Sequence, residues 1–289
     1  MEPVIKSHFV VAAGVTTHYR YVDLNYSGLP SLEPHRPHPN HGASPTFIAV
    51  HGLGCSSDAW VPALRELGRA GIYARVLAPD LPGSGRSDKR HKVFSINEVS
   101  DWLAAFMEEL NVPSADIGGH SLGCQAAMAL ARNHPERVHS LTLIGPTTGN
   151  TLEGFWRYAA GLAAGAFYEP VAYTMCLASM YSEMGIVRYL KTVRKMLQDK
   201  PLSETSEIRQ PCLILRGEHD TIVPHRVAVD LAGALPVAEF REMKHCAHAI
   251  QFGKPREFVQ ELERFLSLYG DLSATPANGD VMQLAGTRK

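Results

Sequence analysis

Little in this chain could staple it covalently or through a metal. Its five cysteines, Cys55, Cys124, Cys176, Cys212 and Cys246, are odd in number and scattered, and none belongs to a C-x-x-C pair. Neither a disulfide framework nor a zinc knuckle is expected. Excess charge is also lacking. Lys and Arg number 28 against 29 Asp and Glu, a formal net charge of −1. No strong field draws such a protein to phosphate backbones or anionic membranes, so no nucleic-acid partner is expected. No apolar run approaches the roughly 18 residues that a spanning helix needs. The start, MEPVIKSHFVV, lacks a basic region followed by a long apolar stretch and a small-residue cleavage site, so no signal peptide is read there. The glycine-rich stretch LPGSGRSD matches neither G-x-G-x-x-G nor a P-loop, which argues against nucleotide binding. There is no internal repeat. A protein of the reducing cytoplasm, monomer or homodimer, is the expectation.

What is present is an ordinary globular balance, 45% hydrophobic and 20% charged over 289 residues. That length suits one domain with an insertion and buries a large core without staples. Residues 4–24 read as two strands turning at Gly14. Residues 27–45 read as a Pro- and His-rich surface loop, in which Pro37 and Pro39 make convergence of His35, His38 and His41 on a metal difficult. Short apolar runs at 46–52, 74–80, about 114–118, 138–146 and 212–217, and the strand 238–243, then alternate with helical stretches near 59–70, 97–110, 122–133, 225–234 and 255–269. Strands alternating with helices predict a mostly parallel sheet covered on both faces, an α/β fold. The alternation stops between 147 and 200, a segment rich in Ala, Met and aromatics with no strand candidate. It reads as a helical cap inserted into a core of residues 1–146 and 201–269. The polar end, 270–289, reads as a loose tail.

One motif carries chemistry. Gly119-His120-Ser121-Leu122-Gly123 is a G-x-S-x-G sequence between a strand and a helix. Small residues two before and two after the serine allow a turn so tight that the flanking backbones nearly touch. Such a turn strains the serine and lifts its hydroxyl to the positive end of the next helix.

With that motif in place, residues 5–268 resemble the α/β-hydrolase superfamily. The matching segments are His51-Gly52-Leu53-Gly54, Asp80 to Ser87, Gly119 to Gly123, Arg216-Gly217-Glu218-His219-Asp220 and Cys246-Ala247-His248. The resemblance implies an eight-stranded type of sheet and partners in the order serine, acid, histidine. Asp220 falls on the acid position, with Glu218 as a local rival and a helix-capping role as the plain structural reading. His248 falls on the base position. Relatives often carry Gly-x-Gly-His there, whereas this chain has His245-Cys246-Ala247, which offers His245 as a second imidazole. Backbone N–H groups of Leu53 and Leu122 are the implied oxyanion donors. A serine nucleophile disfavours the dehalogenase and epoxide hydrolase branches, which attack through a carboxylate. The Asp80 to Ser87 turn is expected to be structural.

The resemblance thus implies hydrolysis of an ester, lactone or thioester through an acyl-enzyme, with no cofactor and no metal. Trp156, Phe167 and Tyr181 of the cap are candidate substrate contacts for a small, uncharged, moderately hydrophobic molecule. Carbon–carbon bond hydrolysis of a vinylogous diketone and cofactor-free oxygen chemistry use the same triad. A hormone-binding receptor that kept the triad without turnover is the non-enzymatic alternative.

Overall fold

The computed structural model describes residues 2–23, 45–147, 160–161, 163–165, 167–199 and 201–269. Trp156, the histidines of the 35–41 loop and the tail 270–289 lie outside them. A hairpin opens the fold: β1 (Lys6–Ala12) and β2 (Val15–Asp23) pair antiparallel. Six strands follow: β3 (Thr46–Val50), β4 (Arg75–Pro79), β5 (Ala115–His120), β6 (Val138–Ile144), β7 (Cys212–Gly217) and β8 (Ala238–Met243). They form one sheet in the order β1-β2-β4-β3-β5-β6-β7-β8, parallel from β4 to β8. β3, β5 and β7 are buried at every residue, as continuous apolar runs in a sheet covered on both faces should be. Exposed positions concentrate in the outermost strands β1 and β8.

The helices are α1 (Val61–Ala70), α2 (Ile96–Glu109), α3 (Leu122–Asn133), α4 (Val171–Met184), α5 (Ile186–Gln198), α6 (His225–Ala234), α7 (Ile250–Gly253) and α8 (Pro255–Tyr269). Strand side chains alternate between two cores. Phe47, Ala49, Leu213 and Leu215 face Trp60, Leu64, Phe258 and Phe265 of the α1 and α8 side. Ile48, Val50 and Ile214 face Trp102, Phe106, Leu130 and Leu231 of the α2, α3 and α6 side. Burying each such large side chain stabilises the fold by roughly 1.5–3 kcal/mol. Ser95 starts α2 with a capping box, its hydroxyl accepting from the Glu98 N–H while Glu98 reaches back to the Ser95 N–H. α4 and α5 lie between β6 and β7, where the alternation was expected to stop. Among the described residues no helix is long and apolar enough to cross a membrane.

The turn after β4 is a buried polar knot. Asp80 accepts from the Ser57 N–H at 2.6 Å, pairs with His18 Nδ1 at 2.8 Å and accepts from the Arg86 N–H at 2.9 Å. Burial alone would raise its carboxyl, but these hydrogen bonds, the one to His18 foremost, hold it down at about 2 against an ordinary 3.8. Being depressed in the fold, it contributes stability above pH 4 that is lost as pH falls from about 4 to 2. Asp80→Asn should therefore cost about 2–3 kcal/mol in urea unfolding at pH 7 and shrink that acid-side slope. An unchanged midpoint would mean that the knot contributes nothing.

Candidate active site

Parallel strands end on one edge of the sheet. There β3 runs into His51-Gly52-Leu53-Gly54, β5 into Ser121, β7 into the loop of Asp220 and β8 into the loop of His248. Ser121 sits between β5 and α3 with φ 55° and ψ −115°, a conformation that L residues avoid. Holding it there costs roughly 1–3 kcal/mol. The motif glycines explain why it can exist. A Cβ on Gly119 would lie 2.6 Å from the Gly123 carbonyl oxygen, and one on Gly123 would lie 2.3 Å from that of Val50. Leu122 is the first residue of α3, where N–H groups have no acceptor inside the helix and the helix dipole is positive.

Asp220 uses its two carboxylate oxygens differently. Oδ1 accepts from the N–H groups of Ile222 and Val223 at 2.8 and 2.9 Å. Oδ2 lies 2.8 Å from His248 Nδ1, so Nδ1–H donates and Nε2 is left as the basic nitrogen. The residue ahead of α6 is Pro224, so Asp220 does not cap that helix. Burial alone would depress His248, but the charge and hydrogen bond of Asp220 outweigh it and raise the imidazole. Burial would raise Asp220, and His248 with the two N–H bonds lowers it instead. The rivals point elsewhere: Glu218 accepts from the His245 N–H at 2.9 Å, and the His245 side chain is 82% exposed.

His51 ties the β3 loop down. Its Nδ1 donates to the Gly52 carbonyl at 2.8 Å and its Nε2 accepts from the Leu81 N–H at 2.9 Å. Burial lowers this imidazole and keeps it in the neutral form that the arrangement needs. Leu53 and Gly54 form the centre of a turn closed by Cys55 N–H to Gly52 O at 3.2 Å.

A cavity of about 240 Å³ opens over these groups. Leu53, Ser121, His120 and His248 line its floor; Glu169, Tyr173, Leu177, Tyr181 and Ile222 are among its walls. Tyr181 lines this cavity, its ring so close over Gly54 that a Cβ there would sit 2.0 Å from it. Phe167, the other described cap candidate, is 89% exposed and lines no part of the cavity. Apolar content gives the expectation that this segment packs over the site but not which side chains point inward. Tyr181→Ala should widen the cavity and raise the long-to-short acyl ratio of kcat/KM by about tenfold, whereas Phe167→Ala should leave it unchanged. A p-nitrophenyl ester chain-length series reads both, and an equal shift in the two variants would refute the inward assignment of Tyr181.

Of the lining residues that sequence reasoning missed, His120 and Glu169 matter most to the chemistry. His120, inside the motif itself, is buried with its ring centroid 4.7 Å from that of His248. Burial foremost, and then the nearby His248, push its imidazole well down, so it is neutral. Glu169 is the only carboxylate, and no Lys or Arg appears, among the described residues lining the cavity. Its Oε1 accepts from the Ala249 N–H at 2.9 Å, next to His248, and burial raises its carboxyl. The signal available for it was an acid with no other acid between Trp156 and Tyr173, among Ala and aromatic residues.

Comparison with known proteins agrees with this architecture. The family model described as "Alpha/beta hydrolase family" matches residues 47–261. A 2-hydroxy-6-oxononadienedioate/2-hydroxy-6-oxononatrienedioate hydrolase of Paraburkholderia phymatum is 27% identical over 249 residues, 76% of this chain and 86% of the relative. Among solved structures, a bacterial membrane phospholipase A superposes with a TM-score of 0.73 at 20% identity, over 91% of this chain and 86% of that one. An N-acyl homoserine lactone degrading enzyme superposes with a TM-score of 0.69 at 22% identity, over 89% of this chain and all of that one. With its sheet order, its strained serine turn and a family match over most of its length, this chain belongs to the alpha/beta hydrolase family.

Proposed function

We propose that the protein is a serine hydrolase that cleaves an ester, lactone or thioester of an uncharged, moderately hydrophobic substrate through an acyl-enzyme. Ser121 Oγ attacks the carbonyl carbon as His248 Nε2 takes its proton. Asp220 holds the imidazole in the right tautomer and stabilises the imidazolium. The N–H groups of Leu53 and Leu122 stabilise the oxyanion, each worth about 3 kcal/mol of barrier. The imidazolium protonates the leaving group, and water then repeats the attack on the acyl-enzyme. Residues 147–200 act as the cap that excludes water from this step, with Thr221 Oγ1 donating to Gly161 O at 2.6 Å as one of its ties to the acid loop.

The observation that carries the ester reading is the cavity: apolar walls over Ser121 and His248, with Glu169 as the only carboxylate and no cationic side chain among its described residues. Carbon–carbon bond hydrolysis is the second reading, and the Paraburkholderia phymatum relative favours it, because its name gives a 2-hydroxy-6-oxo-diene, a vinylogous diketone, as what it hydrolyses, here as a dicarboxylate. A carboxylate entering this cavity would meet Glu169 and find no described Lys or Arg. The test compares p-nitrophenyl esters with a 2-hydroxy-6-oxo-dienoate and maps a fluorophosphonate label by mass. Ester turnover with the label on Ser121 supports the reading. Faster dienoate cleavage overturns it in favour of the second, and tight ligand retention without turnover overturns both in favour of a receptor.

Glu169 gives this reading its own check. Ionised above its raised pKa, it should repel anionic acyl groups at high pH and cease to do so at low pH. At an effective dielectric near 20, two charges about 6 Å apart repel by roughly 3 kcal/mol. Glu169→Gln should therefore raise kcat/KM for an ester with a terminal carboxylate at least about tenfold relative to its uncharged analogue, and flatten the pH dependence of that ratio. A ratio that stays put in both respects removes Glu169 as a charge filter.

A further inference from the structure

The loops that carry Asp220 and His248 are stitched together by residues that do not line the cavity. Glu218 N–H donates to Met243 O at 2.9 Å, His219 N–H donates to Cys246 O at 2.8 Å, and His245 N–H donates to the Glu218 carboxylate at 2.9 Å. This stitching brings the side chains of Glu218, His219 and His245 to one exposed spot, with one potential ligand atom from each within 4.8 Å of the others. His219 Nε2 and His245 Nδ1 each lie 3.9 Å from Glu218 Oε2. A point equidistant from three atoms so spaced lies no more than about 2.5 Å from each, a few tenths of an ångström beyond the 2.0–2.2 Å bonds that zinc makes to imidazole and carboxylate. Small side-chain rotations close that difference.

Two features set these side chains in place. The His219 ring is stacked on Tyr168, centroids 5.3 Å apart and planes at 24°, which limits its rotation. His245 has φ 55°, the left-handed region where glycine costs least, yet the chain keeps an imidazole there. Glu218 Oε2 already accepts one hydrogen bond, and a carboxylate oxygen has a second lone pair for an ion.

We propose that Glu218, His219 and His245 form a surface site for a divalent transition ion, with water completing its coordination. Two imidazoles and one carboxylate select the zinc, nickel, copper and cobalt class over calcium and magnesium, which prefer oxygen throughout. A bound ion staples the acid loop to the base loop. The site stands outside the hydrolytic cavity, so it neither needs nor supplies a step of ester cleavage.

The experiment titrates zinc chloride into the full chain by calorimetry, with thermal melting alongside. The native protein should bind one zinc in the micromolar range and melt higher when loaded. His219→Ala and His245→Asn should each weaken binding at least tenfold and abolish the melting shift. Asn is chosen at 245 because it tolerates the left-handed backbone. Both variants should keep native circular dichroism and unchanged ester turnover in metal-free buffer, which separates loss of the site from loss of the fold. A control replaces His35, His38 and His41 by Ala together, and it should bind as the native chain does. Zinc affinity weaker than millimolar, equal affinity in native and variant proteins, or loss of binding only in the triple variant each overturns the proposal.

Discussion

Replacing Ser121 by alanine should lower kcat for p-nitrophenyl butyrate by at least about ten-thousand-fold and abolish fluorophosphonate labelling, while the melting temperature stays within a few degrees of native. Both halves follow from the turn. Ser121 occupies its strained backbone because Gly119 and Gly123 let β5 and α3 approach, and its own side chain is not what holds the turn closed. Alanine shares serine's backbone preferences closely enough to sit there at a similar cost. Only glycine, free of Cβ, would relieve the strain, so Ser121→Gly should be as inactive and no less stable. What alanine lacks is the oxygen that attacks. The Leu53 and Leu122 N–H groups would still polarise a bound carbonyl, and they can support only a residual rate. Retention of more than a few per cent of activity would end the assignment of Ser121 as nucleophile.

The parts of this site that could be read from the sequence are those fixed by backbone geometry. G-x-S-x-G is readable because its glycines answer to the contacts between Gly119, Gly123 and Val50, which no other residue allows. Asp220 and His248 were readable from their places after the strands that became β7 and β8. Less was readable where packing overrides local preference. The strand expected to end near 118 continues to His120, because Gly118 and Gly119 pair with Ala49 and Val50 on one side and Thr142 and Leu143 on the other. Glycine there reads as a turn only until both neighbouring strands are present. In α4 the limit is different. Tyr173, Leu177 and Tyr181 face the cavity, while Val171 and Met175 are exposed. Apolar residues on every face leave no polar side to say which way a helix is turned. Phe167 lies in the turn before α4, where no periodicity assigns its side chain a direction. Glu169 could not be placed at all, since a single acid before a proline has no periodicity, and only the fold brings it beside Ala249.

His248→Ala should lower kcat at least about a thousand-fold, and His245→Ala should change it by no more than a few-fold. Four residues span the two imidazoles from first to last, and the chemistry differs because of where the β8 loop aims them. His248 is buried, donates Nδ1–H to Asp220 at 2.8 Å and lines the cavity with Ser121, so its Nε2 is the nitrogen available to take the serine proton. His245 is 82% exposed, lies 3.9 Å from the Glu218 carboxylate and lines no part of the cavity. The pH profile supplies an independent reading. Activity needs neutral His248, so kcat/KM should fall as pH drops through its pKa, and Asp220 raises that pKa above the ordinary 6.5 despite burial. The acid limb should therefore bend above pH 6.5 in the native enzyme. In Asp220→Asn the raising charge is gone while burial remains, so the residual activity should show its bend at lower pH. His245→Ala should leave the limb where it was. If instead His245→Ala shifted the limb and removed most of kcat while His248→Ala kept it, the base would be the exposed imidazole, and the 2.8 Å pair would be a structural contact.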